Sequence, residues 1–218
     1  IMSKLFISLS LLLVSVLSTV AQSDIRKVDF KNFTYDVQIF EKKEKLTLKN
    51  GEFDRNTEDD KLFFTASAEN YGDLDGDGSE EAVVLTMMHT GGTGNFSSGI
   101  IFTMKGGKPV VLTEFEGGDR AYGGLVDAKI LNKMLIVQQY DVGETGGACC
   151  PEFIVTKTYK WNGKELEQVG KQERRELYPL NRIKFEKGSS LSIIPVNLEK
   201  YDRKRFVVGA RKGQILLV

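Results

Sequence analysis

The stretch GDLDGDGSEEAVVLTMM, residues 72–88, decides the fold of this chain. In it, an acidic, glycine-rich segment leads directly into residues 82–88, which are apolar except for Thr86. A run of this length without polar alternation is typical of a β-strand that is buried on both faces. We therefore predict that residues 82–88 form a central strand and that the acidic segment is the loop before it.

The rest of the chain after residue 22 predicts further strands and almost no helix. Short apolar or alternating runs are separated by the turn signals Asn50-Gly51, Gly106-Gly107, Asn132-Lys133 and Asn162-Gly163. Asn-Gly and Gly-Gly favour type I′ turns, which need positive φ at both central residues. We expect an all-β fold in which residues 24–178 form an antiparallel meander, built as a sandwich or a barrel.

Residues 1–21 have the pattern of a secretory signal peptide. Lys4 precedes an apolar run over residues 5–17, and Thr19 and Ala21 form a small-x-small cleavage motif. The alternative is a membrane anchor, but the run is short for a spanning helix of about 20 residues. We expect a signal-peptide helix that is removed after Ala21, a secreted or periplasmic protein, and no stable membrane span after cleavage.

The charges of the chain balance, with 30 Lys and Arg against 30 Asp and Glu. The basic residues are spread along the sequence and form no basic surface of the kind that binds a phosphate backbone. Nucleic acid is therefore excluded as the expected partner, and a protein or a glycan remains.

Carboxylates at alternate positions make the acidic loop a candidate calcium site. Asp73, Asp75 and Asp77 repel one another unless a cation or water compensates their charge, and oxygen-only ligands suit a hard cation. The carbonyl group of Ser79 and the carboxylate of Glu81 complete the candidate ligand set. A true EF-hand is excluded, because a valine stands where that loop has its bidentate glutamate. The alternative is a metal-free turn rich in Asp and Gly.

The spacing of this loop resembles the Asp-x-Asp-x-Asp-Gly-x-x-Asp loops of FG-GAP repeats of the integrin type. In those repeats the loop joins β-strands and holds calcium, so the resemblance implies a calcium loop between two strands here. Glu81 stands in place of the final aspartate.

Three long glycine-rich loops, residues 89–99, 117–124 and 143–149, are candidate binding elements. In an up-and-down meander, alternate connections lie at the same end of a sheet, and loops on a rigid scaffold often carry function. The side chains suited to binding are those of His89, Thr93, Asn95, Asp119 and Arg120. The alternative is that these loops only connect strands.

Cys149 and Cys150 are adjacent and are the only two cysteines. Export would permit their oxidation. Neighbouring Cα atoms are about 3.8 Å apart, below the range of roughly 4.4–6.8 Å that disulfides usually span, so a bond between the two would be strained. We expect a vicinal disulfide that stiffens its loop; two free thiols and bonds between molecules are the alternatives.

A hydrolase or thiol enzyme would use His89 or Cys149. His89 is the only histidine, and it would act as the base for Ser97, Ser98 or Cys149. No recognisable spacing supports such a pair, and a single histidine at the end of a strand usually has a structural role.

Four segments, taken in order, resemble a family of bacterial exported proteins and lipoproteins. They are the acidic loop, Gly91-Gly92-Thr93-Gly94, Gly117-Gly118-Asp119-Arg120 and Cys149-Cys150-Pro151. The resemblance covers most of residues 30–175. It implies export, but it brings no established activity and no catalytic residue.

Residues 181–218 are expected to begin a second domain. Their strand and turn signals are Ile183-x-Phe185-x-x-Gly188-x-Ser190, Tyr201-Asp202 and Ala210-Arg211-Lys212-Gly213-Gln214. These signals resemble the opening of bacterial pre-peptidase C-terminal-like domains. Inhibitors of goose-type lysozyme share this opening. The resemblance implies a β-sandwich, and because the chain ends within an apolar run we expect this sandwich to be truncated.

Together these patterns favour a non-catalytic, calcium-stabilised binding module. A periplasmic inhibitor of lysozyme is the first alternative, and it is implied by the resemblance of the C-terminal segment. A hydrolase or thiol enzyme that uses Cys149 or His89 is the second.

Overall fold

The computed structural model describes residues 24–58, 60–119, 124–144, 151–198 and 203–209. The predicted signal peptide at residues 1–21, Arg120, Cys149 and Cys150 lie outside the described residues. The signal helix and the vicinal disulfide therefore stay predictions. Within the described ranges, no helix is long and apolar enough to cross a membrane.

The described chain is all-β, as predicted, and its strands pair antiparallel except for one short pair. Two single-turn 3-10 helices, Ile25–Lys27 and Phe30–Asn32, precede the strands. The strands are β1 (Thr34–Ile39), β2 (Lys42–Thr47), β3 (Glu52–Asn56), β4 (Lys61–Gly72), β5 (Glu81–His89), β6 (Asn95–Lys105), β7 (Lys108–Asp119), β8 (Leu125–Leu131), β9 (Met134–Asp141), β10 (Phe153–Trp161), β11 (Leu166–Glu176), β12 (Leu180–Arg182) and β13 (Arg205–Val207).

The middle layer of the fold is a five-stranded sheet with the order β3-β4-β5-β6-β7. β5 lies at its centre, and Ala82, Val83 and Val84 are fully buried. Consecutive side chains of a strand point to opposite faces, so both faces of this sheet are covered. The predicted doubly buried strand is confirmed in its first half, whereas Met87 near its end is 38% exposed.

Two further sheets cover the two faces of the central sheet. The β1-β2 hairpin and the 3-10 helices form one apolar core with Phe64 and Phe102. On the other face, a four-stranded sheet with the order β11-β10-β9-β8 contributes Leu135 and Val137 to a second core with Val83. The architecture is a layered β-sandwich, and the meander that we predicted as one unit is divided among three sheets.

Aromatic rings fill the core under the β1-β2 hairpin. The ring centroids of Phe30, Phe33 and Tyr35 lie 5.0–6.1 Å from that of Phe102. Tyr35 is only 2% exposed, and its hydroxyl donates a hydrogen bond to the carbonyl oxygen of Phe30 at 2.8 Å. This bond satisfies a phenol that would otherwise be buried without a partner, so the core gains apolar burial without an unpaired polar group.

Positive φ angles confirm most of the predicted tight turns. Both central residues have positive φ in Asn50-Gly51, Gly106-Gly107 and Asn132-Lys133. In the β10–β11 connection only Gly163 does, with φ of 95°. There the carboxamide oxygen of Asn162 accepts hydrogen bonds from the amides of Lys164 and Glu165 at 2.8 and 2.9 Å. These bonds build a longer loop in place of the predicted type I′ turn.

The C-terminal part of the described chain differs from the expected series of sandwich strands. β12 and β13 have three residues each and pair in parallel, and residues 183–198 contain no strand. Leu191 and Ile193 are 70% and 81% exposed, because no second apolar layer packs on this segment within the described residues. A β-sandwich over residues 181–218 therefore stays a prediction.

Candidate metal site

The acidic loop, residues 73–80, connects β4 to β5 and is folded by its own aspartates. One carboxylate oxygen of Asp73 accepts a hydrogen bond from the amide of Gly76 at 2.7 Å. Asp75 accepts one from the amide of Asp77 at 3.0 Å, and Asp77 accepts one from the amide of Ser79 at 2.7 Å. The two loop glycines have φ of 85° and 90°, which favours glycine. The alternating sequence thus produces a series of Asx turns.

Asp73, Asp75 and Glu81 form an acidic cluster that could hold a metal ion. Each offers one carboxylate oxygen, and the three oxygens lie within 4.8 Å of one another. Calcium binds oxygen ligands at about 2.3–2.6 Å, so two ligands of one ion can be up to about 5 Å apart. The spacing in this cluster is therefore compatible with one calcium ion held between the three side chains.

Glu81 is the buried member of the cluster, with no exposed surface. One of its oxygens accepts hydrogen bonds from the amides of Leu74 at 2.8 Å and Asp75 at 3.4 Å. The other accepts a hydrogen bond from the hydroxyl of Thr103 on β6 at 3.0 Å. Burial raises the pKa of Glu81, and the charge of Asp75 adds to this, while the bonds from Leu74 and Thr103 oppose it. The side chain therefore links the acidic loop to two strands of the central sheet.

A lysine from another sheet lies beside the cluster. The ammonium nitrogen of Lys133, in the β8–β9 turn, is 3.5 Å from a carboxylate oxygen of Asp73. The hairpin is held in place by Asn70, next to a bulge in β4, whose side-chain oxygen accepts a hydrogen bond from the amide of Ile130 at 2.8 Å. Lys133 thus already balances one of the negative charges of the loop.

One carboxylate of the predicted ligand set, that of Asp77, lies apart from the cluster. Within the described residues, Asp77 is not among the carboxylates that come together. The hydroxyl and the amide of Ser79 both donate to Asp77, and these bonds lower the pKa of that carboxyl group. Of the four predicted carboxylate ligands, the structure therefore brings together Asp73, Asp75 and Glu81, while Asp77 accepts hydrogen bonds from Ser79; the Ser79 carbonyl group stays a predicted ligand.

An open groove of about 720 Å³ lies alongside the acidic loop. Trp161, at the end of β10, lines this groove and also packs against the core between the two larger sheets. One wall belongs to the acidic loop and the other to the β10–β11 connection; the lining residues are Asp75, Gly76, Asp77, Lys160, Trp161, Asn162 and Gly163. The cluster therefore adjoins a polar groove with a single aromatic side chain.

The described candidate binding residues, which exclude Arg120, lie at the opposite end of the central sheet. His89 at the end of β5 pairs with Asn95 at the start of β6, and the neighbouring Phe96 pairs with Asp119 at the end of β7. Thr93 lies in the connection between β5 and β6. The two ends of β5 are about 27 Å apart at the usual rise of a strand. The described parts of the first two loops therefore lie at the same end of the sheet, far from the acidic cluster, and the grouping of all three loops stays a prediction.

The described residues show no hydrogen bond between His89 and either candidate serine nucleophile. The Nδ1 atom of His89 accepts a hydrogen bond from the amide of Gly91 at 2.8 Å. Ser97 bonds to backbone groups of β7 and β8, and Ser98 shares a hydrogen bond of 2.6 Å with Thr86. In this arrangement the side chains of His89, Ser97 and Ser98 form hydrogen bonds that hold neighbouring strands and loops together.

Sequence reasoning missed Lys133, Trp161 and Thr103. Each of them comes from a strand or turn that is distant in sequence from the acidic loop, so no local spacing connects them to it. The available signals were weak: Lys133 stands in a tight turn, and Trp161 is the only tryptophan and directly precedes another turn.

No protein-family model matches this chain, and no curated protein or solved structure is similar to it at a significant level. A fold by itself does not determine function. The functional argument therefore depends on the geometry and chemistry of the site.

Proposed function

We propose that this protein is a non-catalytic binding module of the secreted or periplasmic space, and that its acidic loop binds one calcium ion. The observation that carries this proposal is the convergence of Asp73, Asp75 and Glu81, whose oxygens lie within 4.8 Å of one another. Bound there, the ion joins the β4–β5 loop to the centre of the middle sheet. The module then uses this stabilised surface to bind a protein or a glycan.

The charges of the cluster support a divalent ion. Three carboxylates at this spacing repel one another, and burial of Glu81 increases the cost of its charge. Lys133 supplies only one positive charge, and its side chain is 59% exposed, so water screens much of its effect. A calcium ion at the centre would neutralise two charges and replace repulsion by coordination, and oxygen-only ligands on a loop suit calcium.

Calcium-dependent melting of an Asp75→Asn variant tests this proposal. Asparagine keeps the oxygen that accepts the bond from the Asp77 amide, but it removes a charge from the cluster. In EDTA we expect the variant to melt at or above the temperature of the wild type, because repulsion is relieved. With calcium at about 100 times its dissociation constant, the wild type gains about 2.7 kcal/mol, or roughly 5–10 °C. The order of the two melting temperatures is then reversed.

Asp54→Asn is the matched control, because Asp54 is an exposed aspartate on β3, away from the cluster. This variant should keep the full calcium-dependent rise in melting temperature. The proposal is wrong if calcium leaves the wild type unchanged, or if Asp75→Asn gains as much from calcium as the control does.

A further inference from the structure

We infer that the groove beside the acidic loop binds a neutral oligosaccharide. This inference rests on the proposed calcium site, because Asp75 belongs both to the acidic cluster and to the wall of the groove. The walls of the groove indicate the class of ligand.

The groove is a shallow, open depression of about 720 Å³, so a ligand bound in it would keep much of its surface in solvent. Nothing lies within 4 Å of the position that a Cβ atom on Gly163 would take, whereas the Cβ position of Gly76 lies 3.3 Å from Nζ of Lys133. The groove is therefore open on the side of the β10–β11 connection, where an extended chain of a few sugar units could continue past it.

Trp161 supplies a rigid apolar surface within the groove. Its side chain packs partly against the core formed with Leu135 and Leu166, so the ring is held in place before a ligand arrives. One face of a pyranose ring carries C–H groups, and this face packs on an aromatic ring through dispersion and apolar burial. A preorganised ring of this kind lowers the entropic cost of binding.

The polar groups of the groove match sugar hydroxyls. Asp77 accepts hydrogen bonds from both the amide and the hydroxyl of Ser79, and Asp75 accepts one from the Asp77 amide and offers one oxygen to the proposed ion, out of about four acceptor sites on each carboxylate. The remaining sites can accept hydrogen bonds from hydroxyl donors. Hydrogen bonds to ionised groups are stronger than those between neutral groups, so they would orient a sugar that stacks on Trp161.

Charge balance favours a neutral ligand over a charged one. With one calcium ion bound, the four carboxylates of the cluster and of Asp77 would be balanced by the ion together with Lys133, which pairs with Asp73, and Lys160, which lines the groove. The loaded site is therefore close to neutral and gains little from an anion or a cation. A hydrophobic peptide is also disfavoured, because Trp161 is the only large apolar side chain in the lining.

The fluorescence of Trp161 provides the test, because it is the only tryptophan in the chain. The full-length protein is titrated in calcium with three neutral probes: cellotetraose, maltotetraose and tetra-N-acetylchitotetraose. Tetragalacturonate and fully deacetylated chitotetraose serve as acidic and cationic probes. We expect a saturable change in emission with at least one neutral probe and no comparable change with the charged ones.

Two groove variants and one control are then measured by calorimetry with the same probe. Trp161→Ala and Asp77→Asn should each weaken binding at least tenfold, and Asp77→Asn keeps the folded state testable because asparagine retains an oxygen that can accept the bond from the Ser79 amide. Phe40→Ala removes an aromatic ring that is 74% exposed at the β1–β2 turn, away from the groove, and should bind as the wild type does. Binding of charged probes alone, or unchanged binding by both groove variants, would overturn the inference.

The calcium and oligosaccharide proposals fail in different ways. Calcium-dependent melting without any oligosaccharide binding would overturn this inference and leave the proposed calcium site standing. Equal oligosaccharide binding in calcium and in EDTA, without a calcium-dependent rise in melting temperature, would overturn the calcium site and keep the ligand class of the groove.

Discussion

At the scale of single residues, Glu81 and Glu80 show how position changes the role of the same side chain. Glu81 is fully buried and accepts bonds from the loop and from Thr103. Glu80 is partly exposed and pairs through both oxygens with Arg26, whose guanidinium lies 4.7 Å from the ring centroid of Tyr71. The two glutamates are adjacent in sequence, and the position at which β5 begins determines that the side chain of Glu81 is the buried one.

This difference predicts unequal effects of alanine substitution. Glu81→Ala leaves the Leu74 amide and the Thr103 hydroxyl without their acceptor, so we expect a loss of about 2–4 kcal/mol in the free energy of unfolding. Glu80→Ala removes an exposed ion pair and should cost less than about 1 kcal/mol. Urea unfolding in EDTA measures both. Equal losses would show that Glu81 does not anchor the loop.

The burial of Tyr35 leads us to predict a loss of stability at high pH. Burial raises the pKa of Tyr35 in the folded protein above its unfolded value of about 10, with smaller contributions from Asp29 and Tyr71. The folded state therefore keeps this proton while the unfolded chain loses it, and stability falls as the pH rises above about 10. Below that pH the group is protonated in both states and this loss is absent.

Tyr35→Phe separates the two contributions of the hydroxyl. At pH 7 the variant should lose about 1 kcal/mol, because the hydrogen bond to the Phe30 carbonyl is gone. Above pH 10 the difference from the wild type should shrink, since phenylalanine has no proton to lose on unfolding. Urea unfolding at several pH values up to about 11 measures this, and a constant difference would contradict the explanation.

At the scale of elements, the turn of the β8–β9 hairpin contributes a positive charge next to the acidic loop. The turn places Lys133 beside Asp73, where its ammonium group competes for the charge that calcium would neutralise. Lys133→Met removes this charge and keeps a side chain of similar length. We expect calcium to bind a few-fold more tightly to the variant, in line with the up to about 1 kcal/mol that an exposed pair contributes.

Calorimetric titration with calcium measures this effect, and Lys129→Met is the control. Lys129 is an exposed lysine on β8 of the same hairpin and has no described contact with the loop. Its variant should bind calcium as the wild type does. Weaker calcium binding by Lys133→Met would show that the lysine supports the ion rather than competing with it.

The strand pattern was readable from the sequence because it depends on neighbouring residues. The apolar run at residues 82–88 and the dipeptides Asn50-Gly51 and Gly106-Gly107 depend on local backbone geometry, and the structure has the strand and both turns. The Asn162-Gly163 loop was predicted wrongly as a type I′ turn, because the Asn162 side chain bonds to backbone amides further along and changes the loop length.

At the scale of the whole molecule, the pairing of layers was not readable from the sequence. Alternation marks which faces are buried, but it does not say which sheet covers them, so the sequence left a sandwich and a barrel both open, and strands β1–β11 form three sheets. Asp73, Asp75 and Glu81 are close together in sequence, so their spacing alone predicted them as ligands. Lys133 and Trp161 are distant in sequence and reach the loop only through the packing of the second sheet.

Calorimetric titration of calcium into the metal-free protein tests the central claim most directly. We predict saturable binding of one ion per chain, strongly weakened in Asp75→Asn and unaffected in Asp54→Asn. The absence of binding heat at any calcium concentration up to the millimolar range, together with unchanged melting, would contradict the claim and leave the acidic loop as a turn held by its own hydrogen bonds.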